Sequence, residues 1–408
     1  MGGHQMKKII KILVTVLLAF ATLDGLRDTF LPDNPISYVK EIGAVLLFFL
    51  LFIISYKRKI NINSRFILVC NFFVLFLVLV SFVTTKYAIS GATRGTLSFG
   101  GWSVWIKLLS FYCLMNALYL LRCNYPSIFY KIPKTYIKFA LFYCGLTFFF
   151  IFSGLSSQLT QRNWGGRLSI GYPTMDSLIL IVAIIFSIYF IKSKIIKSLC
   201  VSIFLIVLLM QNTASGYVML FVLFLCSTVF LKGIYKVLPV LFTGVFCVLG
   251  FYVYNYWYMD MGAFGFLFVD KVNGFLLGSD TSSIELRQQQ ISYLMNDMNS
   301  YTLYSIFGKG GEEAYLVEST YYALYGFVGA AGVAIFASLF IFLLFKFPRS
   351  FRDSSFYCHF LIIMVVFLIS CAGLIGFYLF PMIFVLAYLI SVYSTSEVTH
   401  ENDIKELA

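Results

Sequence analysis

Apolar runs of membrane-spanning length recur from one end of this chain to the other. They lie at about 9–26, 38–56, 66–84, 102–121, 137–155, 177–191, 199–211, 217–231, 237–256, 319–345, 357–374 and 376–394. A helix needs about 20 apolar residues to cross the hydrocarbon core, and only helices or closed barrels satisfy their backbone there. The spacing predicts an all-α polytopic membrane protein of about twelve transmembrane helices, forming one integral membrane domain over 1–408. Composition closes off the soluble alternative. Only 12% of the 408 residues are charged and 60% are hydrophobic, against about 25% and 45–50% in soluble domains. Too little polar surface remains to coat a water-soluble globule, so an independent soluble catalytic domain is excluded. Residues 1–5, ahead of Met6 and Lys7-Lys8, read as a cloning remnant. The run that follows has no small-x-small cleavage site and is expected to stay as the first span.

Charge orients the predicted spans. Alternate connections carry Lys57, Arg58, Lys59 and Arg65; Arg122, Lys131, Lys134 and Lys138; Lys192, Lys194 and Lys197; Lys232 and Lys236; Lys346, Arg349 and Arg352. With Lys7, Lys8, Lys11 and Lys405, that side holds most of the 30 lysines and arginines. The positive-inside bias puts it, and both termini, in the cytoplasm, with 395–408 as a cytoplasmic tail. The net charge of +12 is then a matter of topology, and no nucleic-acid partner is implied. The cysteines fall in spans or on the cytoplasmic side, where they read as small apolar filler.

The other side has four segments of note: 27–37, 85–101, 156–176 and a long loop over 257–318. They carry Arg27, Arg94, Arg162, Arg167 and Arg287 on the face that the positive-inside bias disfavours. Arginine's planar fork suits phosphate and carboxylate. Within 161–176, glycines allow close backbone approach, and Trp164 and Tyr172 offer flat faces on which sugars stack; an ordinary turn with interfacial aromatics reads equally well. In the long loop, Gly262 to Gly278 is a glycine-broken apolar stretch, better suited to a re-entrant or surface-lying piece than to a span. Ser282-Ser283-Ile284-Glu285 forms a capping-box pattern. A helix is predicted to follow to about Met298, with Ile284, Ile291, Leu294, Met295 and Met298 on one stripe. Arg287 lies on that stripe. It is either snorkelling or paired with a loop acid such as Asp280 or Glu285, or aimed into a cleft for an anionic substrate.

Several chemistries lack their residues. Three histidines, His4, His359 and His400, give no histidine metal site on the external side. Gly308-Lys309-Gly310-Gly311 runs into Glu312 and so fails as a phosphate-binding Gly-Lys-Ser/Thr turn. No Asp-x-Asp pair is present for a metal-held nucleotide sugar, and no cofactor is expected. Charges inside the spans are few (Lys40, Glu41 and Lys107, near their ends), which argues against a relay across the membrane.

Three stretches resemble one family. Gly166-Arg167-Leu168-Ser169-Ile170-Gly171-Tyr172-Pro173-Thr174 resembles the Arg-x-x-Gly-x-x-x-Pro signature of bacterial O-antigen polymerases and ligases. Thr213-Ala214-Ser215-Gly216 resembles their Thr-x-Ser-Arg/Gly element. Leu286-Arg287, then Ile306-Phe307-Gly308-Lys309-Gly310, then Tyr321 through Gly326-Phe327-Val328-Gly329 resemble the arginine helix, the Phe-Gly-x-Gly turn and the Gly-x-x-Gly span that close their large external loop. The resemblance covers about residues 160–335. It implies a GT-C-like, inverting, metal-independent glycosyltransferase of the bacterial inner (cytoplasmic) membrane, its active site facing the periplasm. Such an enzyme moves a glycan from undecaprenyl pyrophosphate to an acceptor sugar hydroxyl. Its implied partners are the lipid-linked donor and acceptor, the bilayer and a chain-length regulator. Arg167 and Arg287 would grip the pyrophosphate, with Arg162 and Arg94 steering it; Trp164, Tyr172, Gly308, Gly310 and Tyr321 would line the substrate. The ligase branch carries a histidine shortly before its final Gly-x-x-Gly span. Here no histidine is available and the nearest acid is Glu318, which favours polymerase over ligase and makes Glu318 the expected general base; the competing role is a cap of the 319–345 helix, and Glu312, Glu313 and Glu285 are further candidate bases. A flippase or other transporter and a scaffold protein are the readings from other classes.

Overall fold

A computed structural model describes residues 3–30, 35–59, 65–87, 101–154, 168–230, 237–276, 282–309, 317, 319–345, 355–374, 376 and 378–394. Every regular element among them is helical. In chain order these are α1 (Gly3–Phe30), α2 (Val39–Lys57), α3 (Arg65–Tyr87), α4 (Gly101–Asn124), the single turn α5 (Pro126–Phe129), α6 (Ile132–Phe152), α7 (Pro173–Phe190), α8 (Lys194–Met210), α9 (Ala214–Phe230), α10 (Val237–Tyr252), α11 (Gly262–Leu276), α12 (Ser282–Asn299), α13 (Thr302–Phe307), α14 (Thr320–Phe345), α15 (Ser355–Ser370) and α16 (Phe380–Ser394). A π turn over Val253–Trp257 extends α10. Each predicted apolar run overlaps one of these helices. Six helical stretches are long and apolar enough to cross a membrane: Gln5–Leu26, Val39–Lys57, Trp105–Asn124, Pro126–Phe152, Pro173–Phe190 and Thr320–Leu343. Shorter apolar helices are found at Phe66–Val80, Ala214–Thr228, Phe360–Ser370 and Phe380–Val392. The chain is an all-helical membrane protein.

Helix α7 is the axis of the bundle. Every residue from Met175 to Ser187 is buried, as expected of a helix that is apolar all round. Tyr172 is extended (φ −86°, ψ 105°) because the residue before a proline avoids the helical region; Pro173 then starts the helix, where its missing N–H costs nothing. Between apolar helices in lipid, close packing and interhelical hydrogen bonds replace the hydrophobic effect. Gly43 of α2 lets Leu17 of α1 approach, since a Cβ there would stand 3.2 Å from the leucine. Asn71 of α3 and Asn116 of α4 exchange amide hydrogen bonds of 3.0 and 2.7 Å, and Phe66 stacks on Phe342 of α14 at 5.2 Å.

These contacts fix which helix ends lie together. The starts of α2, α4, α7, α9, α14 and α16 and the ends of α1, α6, α8 and α15 share one end of the bundle, here the upper end. The lower end is basic. There Arg58 donates to the Asn124 carbonyl at 3.3 Å and lies over Tyr125. Arg122 donates to the Val392 carbonyl at 2.6 Å and lies over Phe129 and Tyr130.

Candidate functional site

The upper end collects the polar groups that the helices bury. Asp176, in the first turn of α7, is 1% exposed. Tyr143 Oη of α6 donates to its Oδ2 at 2.9 Å. Two glycines make room for the carboxylate: a Cβ on Gly171 would overlap Oδ2, and one on Gly25, near the end of α1, would stand 2.9 Å from Oδ1. Among the described residues, Oδ1 has no hydrogen-bond partner. The network continues away from the acid. Gln211 Nε2 donates to Tyr143 Oη at 3.2 Å. Gln211 Oε1 accepts from Ser177 Oγ at 2.7 Å, which lies 2.9 Å from Thr213 Oγ1. Thr213 also accepts from the Gly216 backbone N–H at 3.1 Å, so it is the N-cap of α9. A Cβ on Gly216 would overlap the Thr213 hydroxyl and crowd Ser177. The Thr213–Gly216 element is thus a cap that ties α9 to α7.

Two buried ion pairs flank this network. Lys40 Nζ of α2 lies 2.5 Å from Asp24 Oδ2 of α1, with the Phe380 ring 5.9 Å away. Lys107 Nζ of α4 pairs with Glu41 Oε1 of α2 and lies over the Tyr378 ring at 5.3 Å. Removing charges from water costs several kcal/mol per ion unless each is paired, and pairing is what keeps these four residues tolerable beside apolar helices.

The remaining wall comes from the described parts of the segment 257–318. Asn212 is in the left-handed region (φ 47°), and its Nδ2 donates to the Phe264 carbonyl at 3.0 Å, docking α11 on the α8–α9 turn. Helix α12 is fastened through Leu294 and Met298, both buried with Val317 and packed by Ile291, Tyr304 and Tyr325. Lys309 Nζ lies 2.5 Å from Asp297 Oδ1 and 4.8 Å from the Tyr304 ring centre. The Lys309 backbone N–H donates to the Gly326 carbonyl at 2.9 Å. Gly308 (φ 79°, ψ 176°) and Gly329 (φ 66°, ψ −168°) adopt conformations that glycine alone enters readily. A Cβ on Gly308 would overlap the Phe327 backbone, and one on Gly329 the Ile306 backbone. The glycine turn and the Gly-x-x-Gly span therefore meet backbone to backbone. Above them, at the start of α14, Thr320 N–H donates to the Cys371 carbonyl at 2.8 Å, and its hydroxyl bridges the Leu374 carbonyl and the Gly376 N–H.

Arg287 of α12 reaches this end of the bundle. A Cβ on Gly373 would stand 3.9 Å from Arg287 Nη2 and 3.9 Å from Thr174 Cγ2, so the guanidinium and the start of α7 flank one glycine. Tyr172 is half-buried against the core, and the Tyr321 hydroxyl donates to the Leu368 carbonyl at 2.9 Å. Of the residues proposed from sequence, Arg287, Tyr172, Gly308 and Tyr321 are thus located at one end. Arg94, Arg162, Trp164, Arg167, Gly310 and Glu318 lie outside the described residues, as do Glu312 and Glu313.

No protein-family model, curated protein or solved structure matches the chain. Its chemistry rests on its own residues. The arrangement offers a bidentate cation, Arg287, next to a rigid floor of buried hydrogen bonds. Sequence reasoning missed that floor: Asp176 was only one of several external acids, and Tyr143, Gln211 and Ser177 carried no signal. The one available hint was an acid and a serine inside the first turns of an otherwise apolar run, since ionisable residues in a span mark function by default.

Proposed function

We propose that the chain is a polymerase of undecaprenyl-pyrophosphate-linked oligosaccharide repeat units, a GT-C-like inverting glycosyltransferase of about twelve spans. It works on the periplasmic face of a bacterial cytoplasmic membrane, with both termini in the cytoplasm. One observation carries the reading: Leu168–Thr174, Thr213–Gly216, Arg287 and the Gly308/Gly329 seam, picked out separately in the sequence, share one end of the bundle. In the reaction, an acceptor sugar hydroxyl attacks the anomeric carbon of the donor glycan. The bond from that carbon to the pyrophosphate oxygen breaks, and negative charge develops on the lipid pyrophosphate. Arg287 meets that charge with two N–H groups, a geometry that lysine cannot reproduce. Glu318 takes the proton from the acceptor hydroxyl. Asp176 is too deeply buried to touch substrate and acts as a positioning residue, holding Tyr143 and the start of α7.

Purified protein given lipid-linked repeat units should produce a ladder of lengths. Arg287→Ala should slow it by about 10²–10³-fold, the usual loss for a donor aimed at developing charge, and Arg287→Lys should stay impaired. Near-normal polymerisation by Arg287→Ala overturns the assignment. Transfer to lipid A-core with no ladder would make the protein a ligase instead.

A further inference from the structure

The helix that carries Arg287 is held to the bundle at its far end. Among the described side chains of α12, Leu294 and Met298 in the last two turns are buried, while Gln288 and Gln289 ahead of them are exposed. The helix packs on α13 and α14. Its end is closed by Ser305 Oγ of α13, which donates to the Met298 carbonyl at 2.9 Å. At the other end, the Arg287 guanidinium and Thr174 flank Gly373. Reach and anchorage therefore lie at opposite ends of one helix.

Lys309 sits at that anchorage. Its place behind Gly308 in a glycine-rich turn suggests a phosphate ligand, but the structure points its ammonium elsewhere. The residue is 6% exposed. Its Nζ lies 2.5 Å from Asp297 Oδ1 of α12 and 4.8 Å from the ring centre of Tyr304 in α13. A cation so buried needs its anion. The backbone of Lys309 is fixed as well. Its N–H donates to the Gly326 carbonyl of α14 at 2.9 Å, and Gly308 ahead of it lies against the Phe327 and Val328 backbone with no room for a Cβ. One residue thus joins three helices, α12 and α13 through its side chain and α14 through its main chain.

We propose that Lys309 is a positioning residue for Arg287: its ion pair with Asp297 fixes the tilt of α12, and so the point at which the guanidinium meets the donor. The proposal rests on the glycosyl-transfer reading for what Arg287 meets; the brace between α12 and α14 does not. Arg287 stands ten positions before Asp297, a lever of about 15 Å at the helical rise. Tilting such a lever by about 4° moves its far end by about 1 Å. A misplacement of about 1 Å is enough to cost about 10²-fold in rate. The contacts at Leu294 and Met298 press α12 inward without setting its direction, because apolar burial is non-directional. A short charge-assisted contact from a fixed lysine to one rim of the helix does set it.

The test uses the full chain and separates the brace from the chemistry. Lys309→Met keeps an apolar stem of similar length and leaves behind Asp297, whose side chain is 20% exposed and can turn to water, so the fold should survive. In that variant, amide hydrogen exchange over 288–299 should quicken about tenfold, the worth of one charge-assisted hydrogen bond, while α7 exchanges as before. Lys309→Arg should restore the protection. Unchanged exchange over α12 overturns the proposal whether or not the chain polymerises. With lipid-linked repeat units, Lys309→Met should slow polymerisation about 10²-fold, divided between kcat and KM as in Arg287→Ala, and Lys309→Arg should recover most of the rate. On the Arg287→Ala background, Lys309→Met should cost nothing further, because the group it positions is gone. An equal further loss on that background would make Lys309 a direct ligand of the pyrophosphate and overturn the proposal. If the unaltered chain builds no ladder, the polymerase reading falls, and the exchange measurement still decides the brace.

Discussion

Replacing Gly308 with alanine should open the seam between α13 and α14. The residue has φ 79° and ψ 176°, a region that costs a side-chain-bearing residue about 1–3 kcal/mol. The added Cβ also lands inside 3.0 Å of the Phe327 carbonyl group and the Val328 nitrogen. Those are backbone atoms, which cannot swing aside as a side-chain tip can, so the turn must lift from the helix. Lifting breaks the hydrogen bond from Lys309 N–H to the Gly326 carbonyl, worth about 1 kcal/mol net. The sum is about 2–4 kcal/mol. Gly329→Ala meets the Ile306 backbone across the same seam and should cost a similar amount. The double substitution should cost little more than either single, because a seam once opened has nothing left to lose, and neighbouring sites that share a contact are not additive. Gly145→Ala is the control: nothing lies within 4 Å of its Cβ position, and alanine there should be neutral or stabilise α6 by about 0.5–1 kcal/mol. Unfolding in mixed micelles gives the energies, and amide hydrogen exchange over Thr302–Lys309 gives the location. If Gly308→Ala matches Gly145→Ala in both measurements, the two glycines are not held together in the way described. Strict additivity of the two seam substitutions would refute the shared contact.

The remaining expectations concern charge. Lys40→Met removes the ammonium paired with buried Asp24 and should destabilise the protein by about 3–5 kcal/mol; Lys40→Met combined with Asp24→Leu should be less damaging than Lys40→Met alone in the same unfolding assay. Glu318→Gln should fold, bind lipid-linked donor and polymerise about 10²-fold more slowly, the lower end of what an oriented base contributes. Full activity in that variant would assign Glu318 to capping the start of α14 and remove it from the chemistry.

Helix positions were legible because lipid imposes a length and a composition on each crossing. The boundaries shifted where polar residues are hidden inside the bundle. The run at 177–191 begins at Pro173 in the structure, since Asp176 is a buried polar residue that hydropathy counts as loop. The run at 199–211 begins at Lys194, where Ser193 caps the helix and Lys194 remains exposed. The last run begins at Phe380 because Cys371, Leu374 and Gly376 are spent on the turn that receives Thr320. Arg287 could be read from sequence as a cation on an apolar stripe. The Asp176 network could not: Tyr143 stands 33 residues before the acid and Gln211 lies 68 after the tyrosine, and nothing local to either announces the other. The Gly308 turn and Gly329 were each visible as glycine motifs, but their contact exists only in three dimensions.

Where the buried charges lie bears on what kind of protein this is. Among the described residues they are Asp24, Lys40, Glu41, Asp176 and Lys309, and all five belong to the upper end. A transporter that carries a charged or polar cargo across the bilayer wants ionisable groups near mid-depth, where its two halves meet. Here the middle of α7, from Leu178 to Phe186, is apolar and fully buried, and at the lower end Arg58 and Arg122 lie on carbonyls and aromatic rings at the rim. Such a molecule gathers desolvated charge within reach of one membrane surface and seals the depth beneath it. A reaction whose donor is anchored in lipid, and whose products leave sideways or outward on that same face, needs no polar path to the other side. This burial pattern is what the proposed reaction on one membrane face asks for, and it is drawn without reference to any single residue of the proposed active site.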